Sequence, residues 1–170
     1  MLGYRAQRRP ERLELNQETR CAMENDSDDI RAIEALIHRQ FGSLNWTPET
    51  SGDWSTFAAD FVPGACLYPA ARPAKRQTPE DFIERMKGVA ATSLRSFKEA
   101  ALGSRIRVFG NVAVAVAACE MTENDARVNR GVEMMLLIKT DGEWKIVAQA
   151  WDTENESRPI PTDLRQAPAG

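Results

Sequence analysis

Near residue 93 the spacing of apolar side chains changes from the helical period to strict alternation, and alternation then holds for sixty residues, to about residue 153. Four long strand-like runs carry it: Phe97–Phe109, Val112–Met121, Arg130–Thr140 and Glu143–Thr153. Gly110-Asn111 and Asp141-Gly142 separate two of the pairs. Two-residue turns need positive φ, which Gly and Asn adopt cheaply, so each pair is predicted to be a hairpin. The third link, Thr122 to Asn129, is polar and longer, and the four strands should therefore run as an antiparallel meander. Gly103 inside the first run marks a bulge or bend. Long bent strands imply a strongly curved sheet.

Upstream, the pattern is helical. Ser27-Asp28-Asp29 supplies a hydroxyl acceptor for free backbone N–H groups, with acids at the positive end of the helix dipole. Ile30, Ile33, Ile37, Phe41 and Leu44 then form one apolar stripe, which Gly42 and Asn45-Trp46-Thr47-Pro48 end. Trp54, Phe57, Ala58 and Phe61 predict a short second helix, stopped by Pro63-Gly64, and Ala65 to Ala70 reads as a short strand. Thr78-Pro79-Glu80-Asp81 combines an N-cap hydroxyl, a proline at the first position and following acids; Phe82, Met86 and Val89 continue this third helix to about Thr92. The predicted class is α+β, with three N-terminal helices packed on a strongly curved antiparallel sheet.

The ends read differently. In residues 1–26 five arginines balance five acids around Pro10, with too little apolar surface to offset the entropy of ordering, so a disordered extension is expected. Met23 is a candidate native start, which leaves open whether residues 1–22 belong to the natural protein. Residues 155–170 hold Pro159, Pro161 and Pro168 and are expected to be a flexible tail, leaving residues 27–154 as the folded domain. A formal charge of −3 argues against nucleic acid, whose protein partners carry a basic excess, and no apolar run is long enough to span a membrane. From Arg72 to Arg107, however, nine Lys or Arg face four acids, either a solvated surface or one that attracts an anionic ligand. Cys21, Cys66 and Cys119 are odd in number and lack metal-site spacing, which fits reduced thiols in the cytoplasm and no metal.

Three segments carry a family resemblance. Asp53-Trp54-Ser55-Thr56-Phe57-Ala58-Ala59-Asp60-Phe61 followed by Gly64-Ala65, Phe109-Gly110-Asn111-Val112-Ala113-Val114, and Asp141-Gly142-Glu143-Trp144-Lys145-Ile146-Val147 occur in the order seen in the nuclear transport factor 2-like, or SnoaL-like, superfamily. The chain resembles that superfamily over about residues 27–154. The resemblance implies a cone-shaped α+β barrel, a pocket in the mouth of the cone and dimerisation through the outer face of the sheet. Its members include isomerases, dehydratases, polyketide cyclases, epoxide hydrolases and non-catalytic binding modules, so fold alone does not give function.

Acid–base chemistry in such a cone needs a titratable group facing a dry pocket. The steroid-isomerase branch uses an acid before a proline at the end of strand one, and the corresponding residue here is Tyr68, before Pro69. A phenol is a poor base near neutrality, but it can donate a hydrogen bond to a carbonyl or oxyanion. The lone His38 does not supply the two histidines of the dehydratase branch, and the strands lack the Arg-x-Asp of the epoxide hydrolases. Asp152 is the second expected polar actor. Trp46, Trp54 and Trp151 are candidate ligand walls or core residues, Arg72 a candidate anion contact, and Glu120 and Gln149 further candidates for the pocket. Alternation leaves the inner face of the last strand undecided between Gln149/Trp151 and Ala148/Ala150/Asp152. On the strand before it, Val132, Met134, Leu136 and Ile138 form a continuous apolar face expected in the core. Met135 and Leu137 are then expected outside, in a homodimer interface. The expected partner is a small apolar or anionic organic ligand, bound without a cofactor.

Overall fold

The computed structural model describes residues 17–165, with side chains from residue 26 onward. Helix α1 (Gln17–Ser43) leads into α2 (Trp54–Ala59), strand β1 (Phe61–Tyr68) and α3 (Pro79–Thr92). Four long strands follow, β2 (Phe97–Phe109), β3 (Val112–Glu123), β4 (Arg127–Thr140) and β5 (Glu143–Thr153), and a 3-10 turn at Thr162–Leu164 closes the described chain. The sheet order is β1-β5-β4-β3-β2, antiparallel except for the parallel pairing of β1 with β5. This is the α+β arrangement the sequence predicts: helices lie against the concave face of one curved sheet.

Local chemistry fixes the elements. At α3 the Asp81 N–H donates to Thr78 Oγ1 at 3.1 Å, while the Thr78 N–H donates to Asp81 Oδ2 at 3.0 Å, so two free helix-end donors are satisfied reciprocally. Gly110 has φ of 56° in the first hairpin, and Asp141 and Gly142 have φ of 52° and 81° in the second. The β2–β3 register slips between Ala101 and Gly103, which places a bulge at the glycine and bends the sheet there. The inner core joins Ile33, Leu36, Ile37 and Phe41 of α1 to Leu67 of β1, Leu137 of β4 and Ile146 of β5. Burial of each such side chain contributes about 1.5–3 kcal/mol.

Several expectations are corrected. Helix α1 begins at Gln17 rather than Ser27; of the expected disordered extension, residues 1–16 lie outside the described residues. Phe61 opens β1 instead of ending α2, because the Asp60 backbone C=O accepts from the Ile146 N–H at 2.8 Å and so joins the sheet. The third link is a tight turn through Asn124 and Asp125, which adopt φ of 50° and 56°, and both flanking strands are longer than expected. Residues 155–165 fall within the expected flexible tail. Ile160 and Leu164, the large apolar side chains of that segment, are buried against Ala118 with Leu102, Val116 and Val132 around them.

The faces of β4 are the reverse of the expectation. Met135 and Leu137 are 3% and 0% exposed in the core, whereas Met134 and Leu136 are 60% and 44% exposed on the outer face. Met135 and Leu137 therefore cannot form a dimer interface. The more continuous apolar row lies outside because the inner row carries Glu133, which is needed at the floor of a cavity described below.

Candidate functional site

Between the inner sheet face and helices α1 and α3 lies a cavity of about 480 Å³. Aromatic rings form one wall: Phe57 stacks on Phe82 with centroids 5.1 Å apart, and Phe82 meets Trp151 edge-on at 5.8 Å. Leu44, Leu67, Met86, Val89, Leu94, Phe97 and Met121 complete an apolar lining. Phe82, Met86 and Val89 reach it together because their spacing puts them on one face of α3.

The sheet supplies the polar floor. Glu99 of β2, Cys119 of β3, Glu133 of β4 and Gln149 of β5 occupy inner positions on four successive strands, brought level by pairings such as Ala101 with Cys119 and Glu133 with Trp151. One donor atom each from Glu99, Cys119 and Glu133 lies within 4.8 Å of the other two. Glu99 and Glu133 are 4% and 7% exposed. Gln149 donates from Nε2 to Glu133 Oε2, and its own Oε1 accepts from Gln40 Nε2 of α1 at 2.8 Å. This amide chain fixes the orientation of the Glu133 carboxyl from across the cavity. Gln40 Oε1, buried in the same lining, has no hydrogen-bond partner among the described residues.

Burial dominates the electrostatics. It pushes the Glu99 carboxyl from its ordinary 4.5 up to about 7, against the opposing effect of a hydrogen bond with Cys119. Burial, then repulsion from Glu99, raises Glu133 well above the carboxylate range, with the Gln149 hydrogen bond acting the other way. Burial, followed by the two neighbouring acids, also pushes up the Cys119 thiol, which keeps it protonated and a poor nucleophile. Holding a cation among these three groups would require three deprotonations that burial opposes. The pair instead holds at least one proton near neutral pH, with one member poised to accept and the other to donate.

Of the eight residues singled out from sequence, Gln149 and Trp151 enter this cavity. Tyr68 is exposed at the end of β1, outside it. Asp152 lies on the other side of the sheet, where its Oδ2 is 3.4 Å from Arg72 Nη2 and 3.2 Å from Arg158 Nη1. Those three residues border a separate groove of about 400 Å³ with Met134 and Ile160. Trp46 stacks on Phe97 and donates from Nε1 to the Leu94 carbonyl at 2.8 Å; with Trp54 it lines a small pocket of about 190 Å³ instead. Glu120 pairs with Arg130 at 2.7 Å, away from the cavity. The acids at the floor, Glu99 and Glu133, were not singled out. Their signal is an acid in phase with apolar neighbours: Glu99 between Phe97 and Ala101, and Glu133 before Met135 and Leu137.

Residues 28–152 match the family model described as "Putative lumazine-binding". Solved structures with a similar fold include a protein described as "Putative Scytalone Dehydratase" from Novosphingobium aromaticivorans DSM 12444, at 16% identity and TM-score 0.64, covering 78% of this chain and 89% of that one. Another, from the same genus and species, is described as a "putative aromatic ring hydroxylase", at 16% identity and TM-score 0.61, covering 76% and 91%. A third is an NTF2-like protein of unknown function from Pseudomonas putida KT2440, at 12% identity and TM-score 0.59, covering 84% and 98%. At these identities the likeness extends to fold and not to activity. No curated protein matches the sequence. The family match spans most of the described chain, the sheet order and the solved folds agree with it, and the chain therefore belongs to the "Putative lumazine-binding" family within the nuclear transport factor 2-like fold.

Proposed function

We propose that the protein is a SnoaL-like enzyme that moves protons on a small organic molecule without a cofactor, Glu99 taking a proton and Glu133 giving one. The observation that carries this reading is the pair of buried carboxyls, both raised by burial, at the floor of a cavity walled by aromatic rings. A Glu99 carboxylate, ionised in part near pH 7, removes a proton from carbon beside a carbonyl. The protonated Glu133, oriented by Gln149, then donates to the oxygen on which negative charge develops. Isomerisation follows if the proton returns at another carbon, and elimination follows if a leaving group departs. Trp151 and Phe82 cover the flat apolar body of the substrate. Tyr68 and Asp152, placed outside the cavity, take no part in this scheme.

The base is tested with 5-nitro-1,2-benzisoxazole, a flat neutral probe. Glu99 takes its ring C–H proton, the N–O bond breaks, a nitrile forms and the phenolate oxygen carries away the electron pair. The expected rate rises with pH through about 7, and Glu99→Gln lowers it about 10²- to 10⁴-fold. Binding of the probe with a rate equal in the wild type and in Glu99→Gln would refute the enzyme and favour a non-catalytic binding module.

We also infer that two copies pair through the outer sheet face, where Val112, Val114, Met134 and Leu136 are exposed side by side on β3 and β4. The half-buried Cys66 and buried Cys119 are both unpaired, which fits a reducing cytoplasm. Among the described residues no helix is long and apolar enough to cross a membrane.

A further inference from the structure

The nine basic residues between Arg72 and Arg107 are not equivalent. Arg72 pairs with Asp152, Lys87 with Glu84 and Arg105 with Asp163, and Arg76 donates to Cys66 Sγ at 3.0 Å. Arg85 alone of the nine lines the cavity between sheet and helices. It follows Phe82 by three residues on α3, and long helical side chains lean toward the helix N-terminus. Its guanidinium accordingly lies over the Phe82 ring, 5.0 Å from the centroid. Arg85 makes no ion pair among the described residues; the residue is exposed overall, and the burial its guanidinium does have lowers its pKa. A cation held against the wall of an apolar cavity without a carboxylate partner leaves its planar fork of donors free for a ligand.

We propose that Arg85 is the anchor for a carboxylate on the substrate, so that the molecule taken up is an organic acid with an apolar body between that carboxylate and the reacting carbon. The inference rests on the acid–base reading of the cavity and names the substrate class for it. The second charged group at the rim explains why a monoanion is favoured over a phosphate dianion. Glu123 also lines the cavity, where it accepts from Asn129 Nδ2 at 3.0 Å and lies 3.7 Å from Arg127 Nη1. At the floor, Glu133 holds its proton and adds no second negative charge.

The test compares 1-naphthoate with 1-naphthamide, which share shape and apolar body but differ in charge. Binding is followed through the methyl NMR signals of Met86 and Met121, both of which line the cavity. Naphthoate should bind at least tenfold more tightly than naphthamide to the full-length protein. Arg85→Gln should bring the two within twofold by weakening naphthoate alone, and Arg85→Lys should keep an intermediate preference. Equal affinities in the wild type, or a preference that survives Arg85→Gln, would overturn the assignment of Arg85 while leaving the cavity reading intact. Failure of both compounds to shift the two methionine signals would overturn both. A preference lost in Arg85→Gln, together with no turnover of the benzisoxazole, would establish the anchor and refute the enzyme.

Discussion

Replacing Glu99 with glutamine should remove much of the alkaline sensitivity of this fold. In the folded chain the Glu99 carboxyl is raised from an ordinary 4.5 to about 7, chiefly by burial. A raised value means that the folded state binds the proton more tightly than the unfolded chain does. The associated stability is complete below the unfolded value near 4.5, declines as pH rises, and is gone once pH passes about 7. At about 1.4 kcal/mol per pH unit the gap corresponds to roughly 3 kcal/mol in full, most of which falls between pH 5 and 8.5. Glutamine imitates the protonated acid in shape and cannot ionise. Urea unfolding of both proteins at pH 5 and pH 8.5 isolates the term, because the other titrating groups are common to the pair. The two proteins should differ by less than about 1 kcal/mol at pH 5, and the variant should be more stable by about 3 kcal/mol at pH 8.5. Loss of the Glu99 charge also relieves repulsion on Glu133, which enlarges the alkaline difference. An equal change with pH in the two proteins would show that Glu99 is not a buried acid with a raised value, and the reasoning about the cavity floor would fail.

The two faces of β4 give a matched pair of substitutions. Met134→Lys with Leu136→Lys should leave the melting transition in place and convert a dimer to a monomer in sedimentation. Met135→Lys should destabilise the fold by several kcal/mol, since it buries an unpaired charge in the core. A monomeric wild type would refute the interface, and a stable Met135→Lys would refute the face assignment. Gly131→Ala should cost about 1–3 kcal/mol in urea unfolding. An added Cβ would stand 2.9 Å from the Asp152 carbonyl oxygen, so β4 and β5 would have to part beside Cys119. A neutral result would mean that this part of the sheet is looser than its geometry.

Strand boundaries were legible in the sequence where chemistry is local. Gly110 in the first turn and Asp141-Gly142 in the second adopt positive φ, so the residues flanking those turns are fixed to within one position. The capping box at Thr78 and Asp81 is local in the same way. The face of β4 was not legible, because both of its alternating rows are largely apolar and the deciding contacts come from other strands. Counting apolar residues favours Val132, Met134, Leu136 and Ile138 for the interior. The fold places them outside because Glu133 meets Glu99 and Gln149 at the cavity, and because Lys139 reaches Asp29 at 2.7 Å. The parallel pairing of β1 with β5, far apart in sequence, likewise leaves no local trace. Ile160 and Leu164 are two isolated apolar residues in a polar, proline-rich stretch, and periodicity cannot register so few.

Glu99 and Glu133 stayed hidden for a related reason. Each looks like an ordinary acid on an exposed strand until register sets them level on β2 and β4, on either side of β3. Gln149 and Trp151 were the accessible clue. Once they are placed inside, pairing of Trp151 with Glu133 carries that acid inward too.

Carbon-13 NMR titration of protein labelled at the glutamate side-chain carboxyls measures the floor of the cavity directly. Two resonances, one absent from Glu99→Gln and the other from Glu133→Gln, should titrate well above the ordinary carboxylate range, with the Glu99 signal reaching its midpoint at about 7. All glutamate signals titrating together near the ordinary value of about 4.3 would contradict the account.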